Sequence, residues 1–229
     1  MNEFEFQWRE KLRSEVEPEL GEQKTKELLD TEFIHDPEAV EWTTHCLENL
    51  AREVGRKQLA DILTRCACQV PRENLDNARA TYERTGNVDA VLKVLQEQFE
   101  TFLKEVLQLD DSLVRQVKEM KMGMAGERRG NTIIATKIPK SGNLKKWFAE
   151  EDPQQRAALY CHCPRVGHLA GSDHELPGVY CCCGAGFYRG MWEFILDQPV
   201  EIEVLESVLH GGERCRVAIH LPLEIHEPD

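Results

Sequence analysis

Nine cysteines carry most of the chemistry that this sequence offers. Cys182, Cys46 and Cys215 are single, and the other six form three Cys-x-Cys pairs, which are Cys66/Cys68, Cys161/Cys163 and Cys181/Cys183. Thiols grouped in this way, in a chain without a secretory signal, indicate metal or redox chemistry more than a framework of disulfides.

Two of the pairs can supply one metal site. Such a site needs several thiolates that converge at about 2.3 Å from the ion. In an extended chain alternate side chains share a face, so Cys161 can point with Cys163, and Cys181 with Cys183. We therefore predict a zinc site with these four ligands. An iron–sulfur cluster on the same donors is the alternative.

The residues between these thiols, His162 and Cys182, are expected to point the opposite way. Cys66 and Cys68 fall at a helix end, and within a continuing helix they would lie about 200° apart and could not chelate together. They are secondary ligand candidates if the helix breaks before Pro71, and small buried side chains otherwise.

The segment "GAGFYRGMWEFIL", residues 184–196, has helical spacing and directly follows the third pair. A helix N-terminus carries about half a positive charge, which lowers the pKa of nearby thiols. This favours metal ligation and equally favours a nucleophile. Cys182 and Cys183 are therefore also catalytic candidates, for a hydrolase that uses a reactive cysteine or metal-activated water. The candidate bases are three histidines, His162, His168 and His174.

Aromatic residues on this helix, Phe187, Tyr188 and Trp192, are candidates for a small-molecule pocket, with core packing as the alternative. The helix also carries three glycines that are expected to let a second backbone approach closely: Gly184, Gly186 and Gly190.

The composition limits the classes of partner. The chain has 229 residues, of which 41% are hydrophobic and 30% charged, as in soluble globular proteins. It lacks an apolar run of about 18 residues and an apolar leader, so we predict a cytoplasmic protein without a membrane partner. A net charge of −13 opposes direct binding to nucleic acid. The expected partner is a small molecule, and a homodimer is left open.

The hydrophobic periodicity predicts an α+β protein with two regions. Residues 1–125 read as a mostly helical region and residues 126–229 as an α+β cysteine-rich region, with one continuous domain as the alternative. Helices are predicted over residues 36–55, 56–70, 72–86, 87–109 and 110–124. The first has Asp36 as its N-cap and Pro37 at its first helical position.

In the second region we predict a strand at residues 131–139 and a helix at residues 143–160, broken near Pro153. Two strands at residues 199–209 and 215–223 flank "HGGE", which predicts an antiparallel hairpin behind the helix that follows the third cysteine pair.

Residues 186–221 resemble the core of the 4-vinyl reductase domain family, part of a heme-NO-binding-like superfamily. This core is an aromatic, Gly-containing helix, a Val/Glu-rich strand, a Gly turn and a strand that opens with Cys-Arg. With "YCHCP" and "YCCCGAGFY", the chain looks closer to a group of cysteine-rich bacterial and archaeal proteins. It is also similar, more weakly, to the L-2-amino-thiazoline-4-carboxylate hydrolase family. The resemblance covers about residues 155–222.

The resemblance implies an antiparallel sheet packed by helices that binds small molecules, in some members as a sensor module, with zinc held by a Glu and several Cys. The family's hairpin cysteine falls on Cys215, its preceding cysteine on Ser207 and its Glu on Val204. Cys215 is therefore a further secondary ligand candidate. The predicted function is a metal-binding protein with a small-molecule-binding or sensor role, and the alternative is a hydrolase of a small sulfur or nitrogen compound.

Overall fold

The structure is a computed structural model that describes residues 3–30, 40–173 and 176–223. The expectations for Asp36, Pro37 and His174 lie outside the described residues. Among the helices of the described ranges, none combines the length and the apolar character needed to cross a membrane.

The first half is helical, as predicted. Its α-helices are α1 (Glu3–Leu20), α2 (Glu22–Leu29), α3 (Val40–Val54), α4 (Arg56–Arg65), α5 (Asp76–Thr85), α6 (Val88–Thr101) and α7 (Asp111–Glu119). Gly55, with a φ of +80°, separates α3 from α4, where a stop was predicted. Helix α4 ends at Arg65, five residues before the predicted end, so Cys68 lies beyond the helix.

The second half combines short helices with a small sheet. Its elements are β1 (Glu127–Arg129), β2 (Thr132–Thr136), α8 (Leu144–Ala149), α9 (Pro153–Tyr160), α10 (Cys182–Leu196), β3 (Glu201–Glu206) and β4 (Arg216–His220). The strands form an antiparallel sheet in the order β1-β2-β4-β3, which confirms both the α+β class and the predicted hairpin. Strand β1 was not predicted, because three residues are too few to show an alternating pattern.

The break between α8 and α9 falls where it was predicted, and the reason is local. Pro153 occupies the first turn of α9, where its missing N–H costs nothing. The side chain of Asp152 accepts a hydrogen bond of 2.8 Å from the backbone N–H of Gln155 and caps the helix.

The sheet and α10 share a hydrophobic core. Tyr188, Met191, Trp192 and Ile195 of α10 are buried at a spacing of three and four residues, which makes one continuous helix face. The buried residues form two clusters, and each cluster draws residues from both sides of residue 125. The boundary proposed at that residue stays a prediction.

Helix α10 also lies very close to α4. A Cβ atom built on Gly186 would stand 1.8 Å from the backbone oxygen of Thr64, a distance that no side chain permits. This confirms that glycine is needed here for a close approach of two backbones. Gly184, two residues earlier in the same helix, has no such neighbour, since its nearest atom would be the Nζ of Lys137 at 3.9 Å.

We expect Gly186→Ala to lower the free energy of unfolding by about 2 kcal/mol, because α4 and α10 would have to move apart. Gly184→Ala is the matched control and should be neutral or slightly stabilising, since alanine favours the helix. Denaturant unfolding measures both, and equal stability of the two variants would contradict the close packing.

Candidate functional site

Six of the nine cysteines line one cavity of about 300 Å³. It is bounded by α1, by the segment that follows α9, by the start of α10 and by the ends of β3 and β4. The lining thiols are the four predicted primary ligands and two secondary ones: Cys161, Cys163, Cys181, Cys183, Cys68 and Cys215. Cys66 lies instead in the hydrophobic core, where its sulfur donates to the carbonyl of Ile62 at 3.4 Å.

The predicted geometry of the third pair is wrong, although both of its thiols reach the cavity. Cys181 is the last residue of a 3₁₀ turn (Gly178–Cys181), and Cys183 belongs to α10, so neither lies in an extended strand. The change from the tighter turn to the α-helix, and not strand alternation, brings both sulfurs to one wall. Cys182 packs against the core and does not line the cavity.

The aromatic residues of α10 divide between the cavity and the core. Phe187 follows Cys183 by four residues, and the two share the face that lines the cavity. Tyr188 and Trp192, also predicted for a pocket, are buried in the core instead. The hydroxyl of Tyr188 donates to the carbonyl of Gly123 at 3.0 Å, which satisfies it away from the thiols.

Two of the lining sulfurs have a defined hydrogen-bond partner from distant parts of the chain. The indole Nε1 of Trp8, on α1, donates to Sγ of Cys183 at 3.3 Å. The hydroxyl of Ser207, at the end of β3, lies 3.0 Å from Sγ of Cys181.

A third sulfur contacts a buried ion pair through a tyrosine. Sγ of Cys163 lies 3.1 Å from the hydroxyl of Tyr180, which in turn is 3.1 Å from Nη1 of Arg165. Arg165 forms a bidentate salt bridge with the carboxylate of Glu5 on α1. Its Nη2 also donates to the hydroxyl oxygen of Thr43 at 2.9 Å. The side chains of Arg165 and Glu5 are only 2% and 9% exposed.

Burial raises the pKa of Cys161, Cys181 and Cys183, which corrects the expectation of a lowering by the helix N-terminus. The pKa is raised to about 12 for Cys161 and Cys181 and to about 11 for Cys183, chiefly by desolvation. Burial also raises the pKa of Cys182 to about 11. Without a bound cation these sulfurs are thiols at neutral pH, because the cost of an unsolvated charge exceeds the favourable field of the helix.

His162 also lines the cavity, although it was expected to point the opposite way from its flanking cysteines. Its Nε2 lies 2.7 Å from the carbonyl oxygen of Ile138, and since a carbonyl only accepts, this nitrogen carries the proton. Burial lowers the pKa of His162 to about 4, so the ring is neutral. Within the described ranges no hydrogen bond joins it to Cys182 or Cys183, and the hydrolase alternative stays a prediction.

The segment Cys161–Cys163 also faces a second, larger pocket of about 810 Å³. This outer pocket contains His168, another candidate base, together with Lys140 and Lys146. Cys161 and Cys163 therefore form part of the wall between the outer pocket and the thiol-lined cavity.

Within the described ranges, no three Cys, His, Asp or Glu residues stand close enough together to hold a metal ion as they are arranged. The sulfurs are spread around the cavity, and three of them are hydrogen-bonded to separate partners. Thiols can fit a metal here only if side chains rotate towards the centre and lose their protons, which is the usual coupling of metal binding to deprotonation.

We expect Glu5→Gln to lower the free energy of unfolding by about 3 kcal/mol at pH 7, because it leaves the buried Arg165 charge without a counter-ion. Burial raises the pKa of Glu5, but hydrogen bonds and charge from Arg165 and Arg9 outweigh it and lower the pKa overall. Such a carboxylate stabilises the fold above its ordinary pKa and loses this effect as the pH falls through its lowered value. The difference between wild type and variant should therefore disappear in acid.

Denaturant unfolding at several pH values measures this difference. Glu22→Gln, which removes an exposed pair with Lys26, is the control and should change stability little. A Glu5→Gln difference that persisted unchanged in acid would contradict the ion-pair explanation.

Comparison with known proteins adds no relative to this description: no family model, no curated protein and no solved structure matches the chain. The resemblance to the 4-vinyl reductase domain family stays a prediction. The site is therefore described by its own chemistry, as a cavity lined by six thiols.

Proposed function

We propose that this protein binds a thiophilic metal ion, zinc, through thiolates of the cavity. The single observation that carries the proposal is the convergence of six thiols, from four separate parts of the chain, on one small cavity. Buried cysteines that serve only as small apolar side chains have no reason to gather in this way. Soft thiolate donors favour zinc or an iron–sulfur cluster over hard cations such as magnesium.

Cys161, Cys163, Cys181 and Cys183 are the proposed ligands, and Cys215 is the fifth donor. Electrostatic interactions support the set in part, since Cys161, Cys163 and Cys215 each raise the pKa of Cys181, and Cys163 raises that of Cys183. Cys215 is therefore proposed as the alternative to one of the four. Four thiolates would close the coordination of zinc and make the site structural, in the manner of other four-cysteine sites.

The charge of such a site needs compensation, because four thiolates around Zn²⁺ leave two negative charges. Lys137 lines the cavity and forms no ion pair with any residue in the described ranges. Its positive charge already lowers the pKa of Cys161 and Cys215 against the larger effect of burial. Lys137 thus supplies one of the two counter-charges, whereas the charge of Arg165 is already paired with Glu5.

Most of the surface that lines the cavity is apolar, which supports a small-molecule-binding or sensor role. Apolar lining residues come from α1, α10, the sheet and the 3₁₀ turn after β3, and they are Phe4, Ala185, Phe187, Val204, Val217 and Leu209. A volume of about 300 Å³ is at the lower end of small-molecule sites. A small apolar ligand could lie beside the metal-bound sulfurs, and its binding would then be sensitive to the metal. All nine cysteines are free, which fits a reducing cytoplasm.

Metal binding is tested by anaerobic purification, elemental analysis and titration with Co²⁺, whose absorption reports thiolate ligation. The neighbouring variants Cys181→Ser and Cys182→Ser form a matched pair, because only the first of these residues lines the cavity. We expect wild type and Cys182→Ser to bind one ion and Cys181→Ser to bind at least tenfold more weakly.

Folded, metal-free wild-type protein that takes up no Co²⁺ would overturn the proposal, as would equal losses in the two variants. A brown anaerobic preparation with bound iron and sulfide would replace zinc by the iron–sulfur alternative.

A further inference from the structure

We propose that Trp8, Tyr180 and Ser207 are positioning residues that direct hydrogen bonds at three metal-bound sulfurs, an inference that rests on the proposed metal site. Each contacts a different proposed ligand, at distances of 3.0 to 3.3 Å. They come from three separate elements: α1, the 3₁₀ turn before α10, and the end of β3. We call them the sulfur-facing donors.

The direction of the Tyr180 hydrogen bond follows from its other partner. The guanidinium of Arg165 has donors and no acceptor, so its Nη1 must donate to the Tyr180 oxygen across the 3.1 Å contact. The single hydroxyl hydrogen of Tyr180 is then free to point at Sγ of Cys163, 3.1 Å away. A thiolate can only accept, so the bond takes this direction once a metal replaces the thiol proton.

Ser207 is fixed by the same logic. The backbone N–H of Leu209 donates to the Ser207 oxygen at 3.2 Å, which leaves the hydroxyl hydrogen for a sulfur, either Sγ of Cys181 at 3.0 Å or that of Cys215, which also hydrogen-bonds with Ser207. For Trp8 the direction needs no argument, because an indole N–H is a donor only and Cys183 must accept. All three contacts therefore present a hydrogen to sulfur.

Three hydrogen-bond donors directed at three sulfurs stabilise the thiolate form of these cysteines more than the neutral thiol form. Hydrogen bonds to a charged acceptor are about twice as strong as those between neutral groups, so a donor that stays in contact with its sulfur as the cysteine turns towards the metal binds that sulfur more strongly than before. Outer partners of this kind orient the ligands and typically change metal affinity by about 10- to 100-fold.

The arrangement also makes the N-terminal helix part of the site. Helix α1 carries both Trp8, which contacts Cys183, and Glu5, which holds Arg165 in place behind Tyr180. The guanidinium of Arg165 lies 3.8 Å from the ring centre of Trp8. The Trp8–Cys183 contact and the Arg165–Tyr180 contact are therefore linked to each other. Two of the three sulfur-facing donors thus depend on the docking of α1.

The test uses the full-length protein loaded with Co²⁺. Trp8→Phe, Tyr180→Phe and Ser207→Ala remove one donor each, whereas Trp42→Phe and Tyr188→Phe are matched controls. The two controls lose equally buried donors whose acceptors are the backbone carbonyls of other residues, at 3.2 Å and 3.0 Å. Affinity is measured by competition with a chelator, and the sulfur-to-cobalt charge-transfer band is measured by absorption.

We expect each donor variant to bind Co²⁺ about tenfold more weakly and its charge-transfer band to move to longer wavelength, because an unbonded sulfur gives up its electrons more easily. The controls should leave both the affinity and the band unchanged. Donor variants that match the controls, in a wild type that binds Co²⁺ through its cysteines, would overturn this inference alone. A wild type that binds no Co²⁺ would overturn the proposed function itself.

Discussion

The organisation of the cavity depends on the buried ion pair between Arg165 and Glu5. The guanidinium of Arg165 bonds with Glu5 of α1, Thr43 of α3 and Tyr180 of the turn before α10, so it ties the first helix of the chain to the cysteine-rich region. A charge that is 98% removed from solvent is tolerated only when its partners satisfy it. The position of α1, and with it one wall of the cavity, follows from this requirement.

The thiols illustrate a competition between two physical effects. The start of α10 offers a favourable field for a negative sulfur, but desolvation acts more strongly and keeps Cys181 and Cys183 protonated in the absence of a cation. A divalent metal reverses this balance, because its charge replaces the lost solvation. In the proposed metal site these thiols would therefore be neutral without metal and ionised with metal bound.

Local patterns predicted much of the fold and part of the site. The helical period identified helices α3 to α10 but not α1 and α2, and the Gly turn identified the hairpin between β3 and β4. The pairing of Cys161 with Cys163 and of Cys181 with Cys183 pointed to the residues that meet at the cavity. Strand alternation was nevertheless the wrong reason for grouping Cys181 with Cys183. The chain changes there from a 3₁₀ turn to an α-helix within three residues, and such a change leaves no periodic signal in the sequence.

The sequence by itself determined the class of each segment and the concentration of thiols, because hydrophobic period, turn residues and residue type act over a few positions. Only the tertiary structure decided that Trp8, 175 residues before Cys183, donates to its sulfur, and that Tyr188 and Trp192 belong to the core while Phe187 faces the cavity. Such assignments depend on which helix faces are buried against which neighbours. That choice is made by packing over the whole chain, and no short stretch of sequence carries it.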